Sequence, residues 1–225
     1  METLKVLSID IGIKNLGYVY CKMNLTPPEI NKYKARLINN DYTLNKSNTL
    51  KNIRVLDCNR VDITHVKHNS VKYCDCKLHH DNCIPDYLDH FIQETPHFEE
   101  CDVLILERQP PVGITNVQDL LFTKFREKVL LISPGSIHKF FNFNSEKVSD
   151  ETERYNARKE KSECVAQSYL TNYKTFTTNI RKHDIADALL MIIYYYTTQM
   201  ERIIENTVYV KDPTCVDFEE VKYTL

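Results

Sequence analysis

Residues 4–20 of this 225-residue chain read LKVLSIDIGIKNLGYVY and predict the first two strands of a β-sheet. The run 4–9 is mostly apolar and ends at a turn signal, which predicts a strand buried on both faces. A second apolar run, 16–21, follows the turn 13–15, which Gly12 and Gly17 bracket, and predicts the antiparallel partner of a hairpin. Asp10 ends the first strand, where a carboxylate is costly to bury unless a cation pairs with it. On this stretch alone, a turn cap that accepts backbone N–H groups explains Asp10 equally well.

The composition is that of an ordinary globular protein, with 42% hydrophobic and 27% charged residues. No apolar run reaches the roughly 20 residues that span a bilayer and no secretory signal pattern is present, so we expect no membrane partner. Eight cysteines without such a signal indicate reduced thiols or a metal site in an intracellular setting. The net charge of −2 does not indicate a nucleic-acid binder, although a sum can conceal a basic face.

Later segments predict strands that alternate with helices. Strands are predicted at 53–59, 101–107 and 129–132, with weaker candidates at 32–39 and 208–210. Helices are predicted at 86–94, at 116–126 with Asn116 as N-cap, in a short segment ending near 141, from 150 to about 169, and from about 180 to 204. Together they predict an α/β fold with a mixed sheet, antiparallel at first and parallel later, flanked by helices. We expect one domain over 1–205, with a Cys/His-rich insertion at about 58–85, and a C-terminal tail at 206–225.

Three further carboxylates stand at the ends of predicted elements. Glu107 ends the strand 101–107 and repeats the opening pattern, whereas Asp184 and Asp187 project from one face of the last helix. The helix dipole alone would also favour acids near a helix start. Because the surrounding face is apolar, however, a cation is the favoured partner. With Asp10 these side chains form an oxygen donor set that suits Mg²⁺ or Mn²⁺ rather than zinc. Two such ions about 3.5–4 Å apart would promote the hydrolysis of a phosphodiester by water.

Three strings carry a resemblance to a known family: SIDIG at 8–12, LERQPP at 106–111 and RKHDIADA at 181–188. In order and spacing they resemble the catalytic motifs of RuvC-type Holliday junction resolvases, especially the branch of poxviruses and other large DNA viruses of eukaryotes. The resemblance covers roughly residues 5–196. It implies an RNase H-like fold, a homodimer, and magnesium-dependent nicking of two opposing strands of a four-way DNA junction. It also implies action where viral DNA replicates, in the host cytoplasm or nucleus.

The resemblance assigns roles to individual residues. The family's metal-binding acids correspond by motif to Asp10, Glu107, Asp184 and Asp187, which would hold two magnesium ions in each active site. His183 matches a position that some members fill with a histidine near the metals. The family also has a catalytic lysine before the last helix, and both Lys159 and Lys161 are candidates.

Basic side chains bracket the acidic motifs. Arg154, Arg158 and Lys161 are spaced to share one helical face, and Arg181 and Lys182 precede the last pair of acids. We expect these five side chains to contact DNA phosphates. The alternative is a solvated helix surface, since glutamates between them balance the charge. The chain as a whole is also less basic than a junction binder would be expected to be.

The insertion contains the segment 74–83, CDCKLHHDNC. Cys74, Cys76, His79 and Cys83 are candidate ligands of a structural, tetrahedral Zn²⁺ ion. His65 or His68 could replace a later histidine, and a Cys-rich loop without metal remains the alternative. A bare RuvC-type core does not need a segment of this length.

The sequence therefore predicts a magnesium-dependent endonuclease that cuts Holliday junctions and other branched DNA in recombination and repair. An actin-like or sugar-kinase ATPase also begins with a strand, an aspartate and a glycine. That fold needs a second, glycine-rich phosphate hairpin, which a chain with four glycines in total hardly supplies. The other alternative is a zinc-stabilised DNA-binding module without catalysis, but such a module gains nothing from carboxylates near phosphates.

Overall fold

The computed structural model describes residues 3–24, 52–65, 83–113, 115–143 and 150–209, the last ten of these by their backbone alone. The strands are β1 Thr3–Asp10, β2 Leu16–Asn24, β3 Ile53–Val61, β4 Val103–Glu107 and β5 Val129–Ile132. The helices are α1 Ile84–Glu94, α2 His97–Glu100, α3 Thr115–Lys124, α4 Pro134–Phe140, α5 Glu151–Leu170, α6 Lys174–Thr177 and α7 Lys182–Tyr209, and a 3₁₀ turn spans Ile63–His65.

The strands form one sheet in the order β3-β2-β1-β4-β5, so the first strand of the chain lies at the centre. β1 pairs antiparallel with β2, and β2 antiparallel with β3. On its other side β1 pairs parallel with β4, which pairs parallel with β5. The predicted mixed sheet, antiparallel at first and parallel later, is confirmed.

Helices cover both faces of the sheet. Successive side chains of a strand point to opposite faces, and on β1 Val6 joins one hydrophobic core while Leu7 and Ile9 join the other. The first core is closed by α5 and α7, and the second by α1, α2 and α3. The same alternation puts the side chains of Asp10 and Glu107 on the face that α7 covers.

Several element boundaries differ from the prediction. α3 begins at Thr115, so Asn116 lies in its first turn and is not the N-cap; the turn at 110–113 brings the chain into the helix one residue earlier. α7 runs to Tyr209, because neither glycine nor proline interrupts it. The prediction of a strand at 208–210 is therefore wrong for residues 208 and 209, which lie in this helix. The domain boundary expected at 205/206 falls inside this helix.

Other predictions agree with the structure or lie beyond it. Asp150 caps α5 by accepting a hydrogen bond of 2.9 Å from the backbone N–H of Glu153, where the long helix was expected to begin. The weak strand at 32–39 lies outside the described residues. Within the described ranges, no helix combines the length and the apolar character needed to cross a membrane.

Candidate active site

The register of the parallel strands brings two acids together. β1 and β4 pair Ile9 with Leu106, so Asp10 and Glu107, the next residues, end neighbouring strands side by side. Burial raises the pKa of Asp10 well above its usual range, and the charges of Glu107, Asp187 and Asp184 add to the effect. Glu107 accepts a hydrogen bond of 2.7 Å from the side-chain amide of Gln109, which orients its carboxylate.

A glycine lets the last helix approach the sheet. Asp10 on β1 pairs with Gly17 on β2, and a Cβ atom at Gly17 would overlap the backbone carbonyl of Asp184 in the first turn of α7. From the sequence, Gly17 was expected only to flank the turn. A glycine inside an apolar strand often marks a close approach of backbone, and this signal could have been used.

Asp184 is buried and already has a cationic partner. Its side chain is 6% exposed, against 41% for Arg181. The Arg181 guanidinium donates to both carboxylate oxygens, through Nε to Oδ2 at 3.0 Å and through Nη2 to Oδ1 at 3.3 Å. Both oxygens of Asp184 are therefore occupied by a neighbour three residues earlier in the chain.

Asp187 lies one helical turn further along α7. Burial raises its pKa to about 7; the Ser162 hydroxyl on α5 acts against this shift, while the charges of Glu107 and Asp184 add to it. Its side chain nevertheless keeps partial access to the groove. The four acids therefore form one crowded, partly desolvated cluster, in which Asp10 and Asp187 are harder to ionise than free aspartates.

Lys159 and His183 lie beside the acids. The Lys159 ammonium is 2.9 Å from His183 Nε2 and 4.0 Å from the ring centroid of Tyr155. Burial lowers the pKa of His183 and the cations of Lys159 and Arg181 lower it further, although Asp184 counteracts them. A neutral ring accepts a hydrogen bond from the ammonium through Nε2, and this arrangement fixes the lysine at the edge of the cluster.

A groove of about 270 Å³ connects these groups. Its lining consists of Asp10, Glu107, Asp184 and Asp187, the basic side chains His138, Arg158, Lys159 and His183, and the apolar or aromatic residues Pro134, Ile137, Phe143, Tyr155 and Met191. Arg158 and Lys159 are among the residues that line the groove, whereas Lys161, also described, is not. The groove therefore brings a carboxylate cluster and basic side chains into one lining.

Sequence reasoning missed His138, which lies on α4 directly after β5. Burial lowers the pKa of His138, and the charge of Arg158 adds to the effect. A signal existed, because β5 runs parallel to β4 and the segment after it therefore reaches the same edge of the sheet.

The remaining candidate residues are distributed as follows. Arg154 is exposed on α5, and the Lys182 ammonium lies 6.0 Å from the ring centroid of Phe176. Cys74, Cys76 and His79 lie outside the described residues. Cys83 is partly buried just before α1, so the zinc prediction stays a prediction.

The acids fit a divalent cation by their chemistry. Oxygen donors with crowded negative charge and raised pKa values, as at Asp10 and Asp187, are the surroundings that Mg²⁺ neutralises. In the part of the chain that the structure describes, no three side chains stand in a finished ligand arrangement. Asp184 accepts hydrogen bonds from Arg181 through both carboxylate oxygens, and Glu107 accepts one from Gln109 through Oε2.

No family model matches the chain, and no curated protein matches it by sequence. Among solved structures, it is similar to the fowlpox virus resolvase in complex with Holliday junction DNA, with 17% identity and a TM-score of 0.51 over 87% of this chain and 99% of that one. It is also similar to the yeast mitochondrial Holliday junction resolvase Ydc2, with 14% identity and a TM-score of 0.52 over 88% of this chain and 82% of that one. The chain therefore has the RNase H-like α/β fold that these two Holliday junction resolvases share.

Proposed function

We propose that this chain is a magnesium-dependent endodeoxyribonuclease that resolves Holliday junctions during the replication and recombination of viral DNA. The observation that carries the proposal is the groove in which acids from β1, β4 and α7 share the lining with Arg158 and Lys159. The fold supports the same proposal, because a structural neighbour is a resolvase bound to Holliday junction DNA.

The side chains would divide the work of hydrolysis. Asp10, Glu107, Asp184 and Asp187 would hold the magnesium ions. When bound, these ions supply an activated water and stabilise the leaving oxygen of the phosphodiester. Gln109 fixes the orientation of Glu107 by its 2.7 Å hydrogen bond.

The basic side chains of the groove would position the DNA backbone. Arg158 lines the same groove as the acids and would contact a phosphate near the scissile one. Lys159, fixed by His183 and the ring of Tyr155, would place its ammonium beside the charge that develops on the reacting phosphate. Because a four-way junction needs two symmetric cuts, we infer that two copies of the chain act together as a homodimer.

The test is an incubation of labelled four-way junction, flap and linear duplex, with Mg²⁺ or with chelator. We expect paired nicks in the junction, much slower cleavage of the linear duplex, and no cleavage in chelator. Asp10→Asn should lose cleavage and keep junction binding, because Asp10 would hold metal and not DNA. Wild-type protein that binds the junction tightly without cutting it, at any Mg²⁺ or Mn²⁺ concentration, would instead identify a binding module.

The structure disfavours the ATPase alternative. A Cβ atom at Gly12 would lie 2.5 Å from the carbonyl oxygen of Asn15, and Gly17 contacts the backbone of Asp184. Contacts within the protein therefore account for Gly12 and Gly17 without a phosphate-binding loop.

A further inference from the structure

We propose that Arg181 is an internal competitor of the divalent cation at Asp184, and that its release couples metal binding to DNA binding. The inference rests on the proposed nuclease function and adds a role for Arg181 beyond contact with phosphate. In the metal-free protein the guanidinium neutralises Asp184. When a cation takes that position, Arg181 becomes available to a phosphate of the junction.

The geometry of the pair carries the first part of the argument. The guanidinium uses Nε and Nη2 to engage the two oxygens of Asp184 at 3.0 and 3.3 Å, which are the atoms that a metal ion would ligate. A divalent cation at either oxygen would compete with the guanidinium for the carboxylate and would be repelled by its positive charge. Metal binding at Asp184 is therefore favoured when the arginine leaves.

The surroundings of Arg181 allow its side chain to move away from Asp184. The Arg181 side chain is 41% exposed although its partner is only 6% exposed, so the guanidinium reaches the buried carboxylate from the solvent side. Its backbone N–H is anchored by the Asn179 side chain at 3.0 Å, and the preceding Ile180 is 97% exposed. The side chain can thus rotate outward without disturbing the packing of α7.

Displacement has a thermodynamic consequence. If the cation frees Arg181 for a phosphate, then a phosphate that binds Arg181 must also free Asp184 for the cation, by the same factor. Junction and metal therefore strengthen each other's binding. Without DNA, Arg181 lowers the affinity of the site for the metal.

The experiment uses the full chain and two binding measurements that need no cleavage. Free Mn²⁺ is followed by electron paramagnetic resonance, without DNA. Junction affinity is followed by fluorescence anisotropy, in chelator and in Ca²⁺. We expect Arg181→Gln to bind Mn²⁺ about tenfold more tightly than wild type, within the usual range of coupling between sites. The gain in junction affinity on adding Ca²⁺ should fall at least threefold in this variant.

Lys182→Gln is the matched control, because it removes one positive charge from the adjacent position, where the ammonium lies near Phe176. Its Mn²⁺ affinity should stay within twofold of wild type, and it should keep the gain from Ca²⁺ even if its junction affinity falls. Arg181→Lys keeps the charge but loses the two-pronged contact, so its Mn²⁺ affinity should lie between those of wild type and Arg181→Gln. This variant carries the test if Arg181→Gln does not fold.

Each result has a distinct meaning. Equal Mn²⁺ affinity in wild type and Arg181→Gln would overturn the inference and leave the nuclease proposal intact, since Arg181 would then be a structural partner of Asp184. An equal gain in Lys182→Gln would overturn it too, because general charge would explain the effect. Absence of Mn²⁺ binding in every variant would refute the metal site itself, and with it both proposals.

Discussion

Replacing Asp187 by asparagine removes one charge from the acid cluster and keeps the shape of the side chain. Burial raises the pKa of Asp187 from 3.8 to about 7, so the folded protein pays a cost for keeping this group ionised. A difference of about 3 between the two pKa values corresponds to about 4 kcal/mol at high pH. Because the Asp187 side chain keeps partial contact with the groove, we expect Asp187→Asn to stabilise the metal-free protein by about half of this value, roughly 2 kcal/mol at high pH.

The sign of the pH dependence follows from proton binding. Between pH 3.8 and about 7, the folded protein holds a proton at Asp187 that the unfolded chain has released. The stability of the metal-free wild type therefore falls as pH rises through this window, and the contribution of Asp187 is constant above it. The stability of Asp187→Asn does not fall in this window. The variant should therefore be more stable than wild type at pH 8 and nearly equal to it in stability at pH 4.

The assay is a thermal melt of both proteins in chelator at the two pH values, and again at pH 8 in excess Mg²⁺. At pH 8 in chelator the variant should melt roughly 4–8 °C higher than wild type. Mg²⁺ should stabilise wild type by about 1.4 kcal/mol at tenfold over its dissociation constant, and the variant should lose most of that gain. Asp119→Asn is the control, since it changes an exposed aspartate on α3 and should alter neither quantity.

Two results would refute this reasoning. A variant less stable than wild type at pH 8 in chelator, yet fully responsive to Mg²⁺, would show that Asp187 is a structural group and that the metal binds elsewhere. An equal difference between the proteins at pH 4 and pH 8 would show that ionisation of Asp187 is not the cause.

Four further outcomes are expected. The Cβ atom of Gly17→Ala would overlap the first turn of α7, so this variant should lose about 1–3 kcal/mol of unfolding free energy in urea melts and most of its cleavage activity. Gly135→Ala is the control and should lose neither, because the nearest contact of its Cβ atom lies at 3.6 Å. Lys159→Gln should slow single-turnover junction cleavage about 100-fold or more, and Lys161→Gln only a few-fold. The reverse order of effects would show that Lys161, and not Lys159, acts on the reacting phosphate. Elemental analysis of protein purified without chelator should find about one zinc per chain, held by cysteines of segment 74–83. Light scattering at assay concentration should show a dimer, and a monomer that still makes paired cuts would contradict the two-fold arrangement.

The sheet and its acids could be predicted because local patterns specify them. The apolar run before Asp10 and the one before Glu107 each indicate a buried strand with a carboxylate at its end, and the structure has both strands with these ends. The spacing of Asp184 and Asp187 places both on one side of any helix. The motifs then implied the fold, which the structure confirms.

The pairing within the site could not be predicted in this way. The contact between Arg181 and Asp184 depends on how the chain enters α7, and the position of His138 depends on the pairing of β5 with β4. The role of Gly17 depends on a helix that is distant in sequence. None of these contacts leaves a periodic pattern in the chain.

By itself the sequence determined which residue types stand at the ends of the strands and at the start of the last helix, because strand alternation and helical spacing are properties of neighbouring residues. It left Lys159 and Lys161 equivalent. In an α-helix two such positions lie about 200° apart around the axis, so only one of them can face a given neighbour. Only the packing of α5 beside α7 decided that Lys159 faces His183 and the groove, because the rotation of a helix about its axis is set by what it packs against.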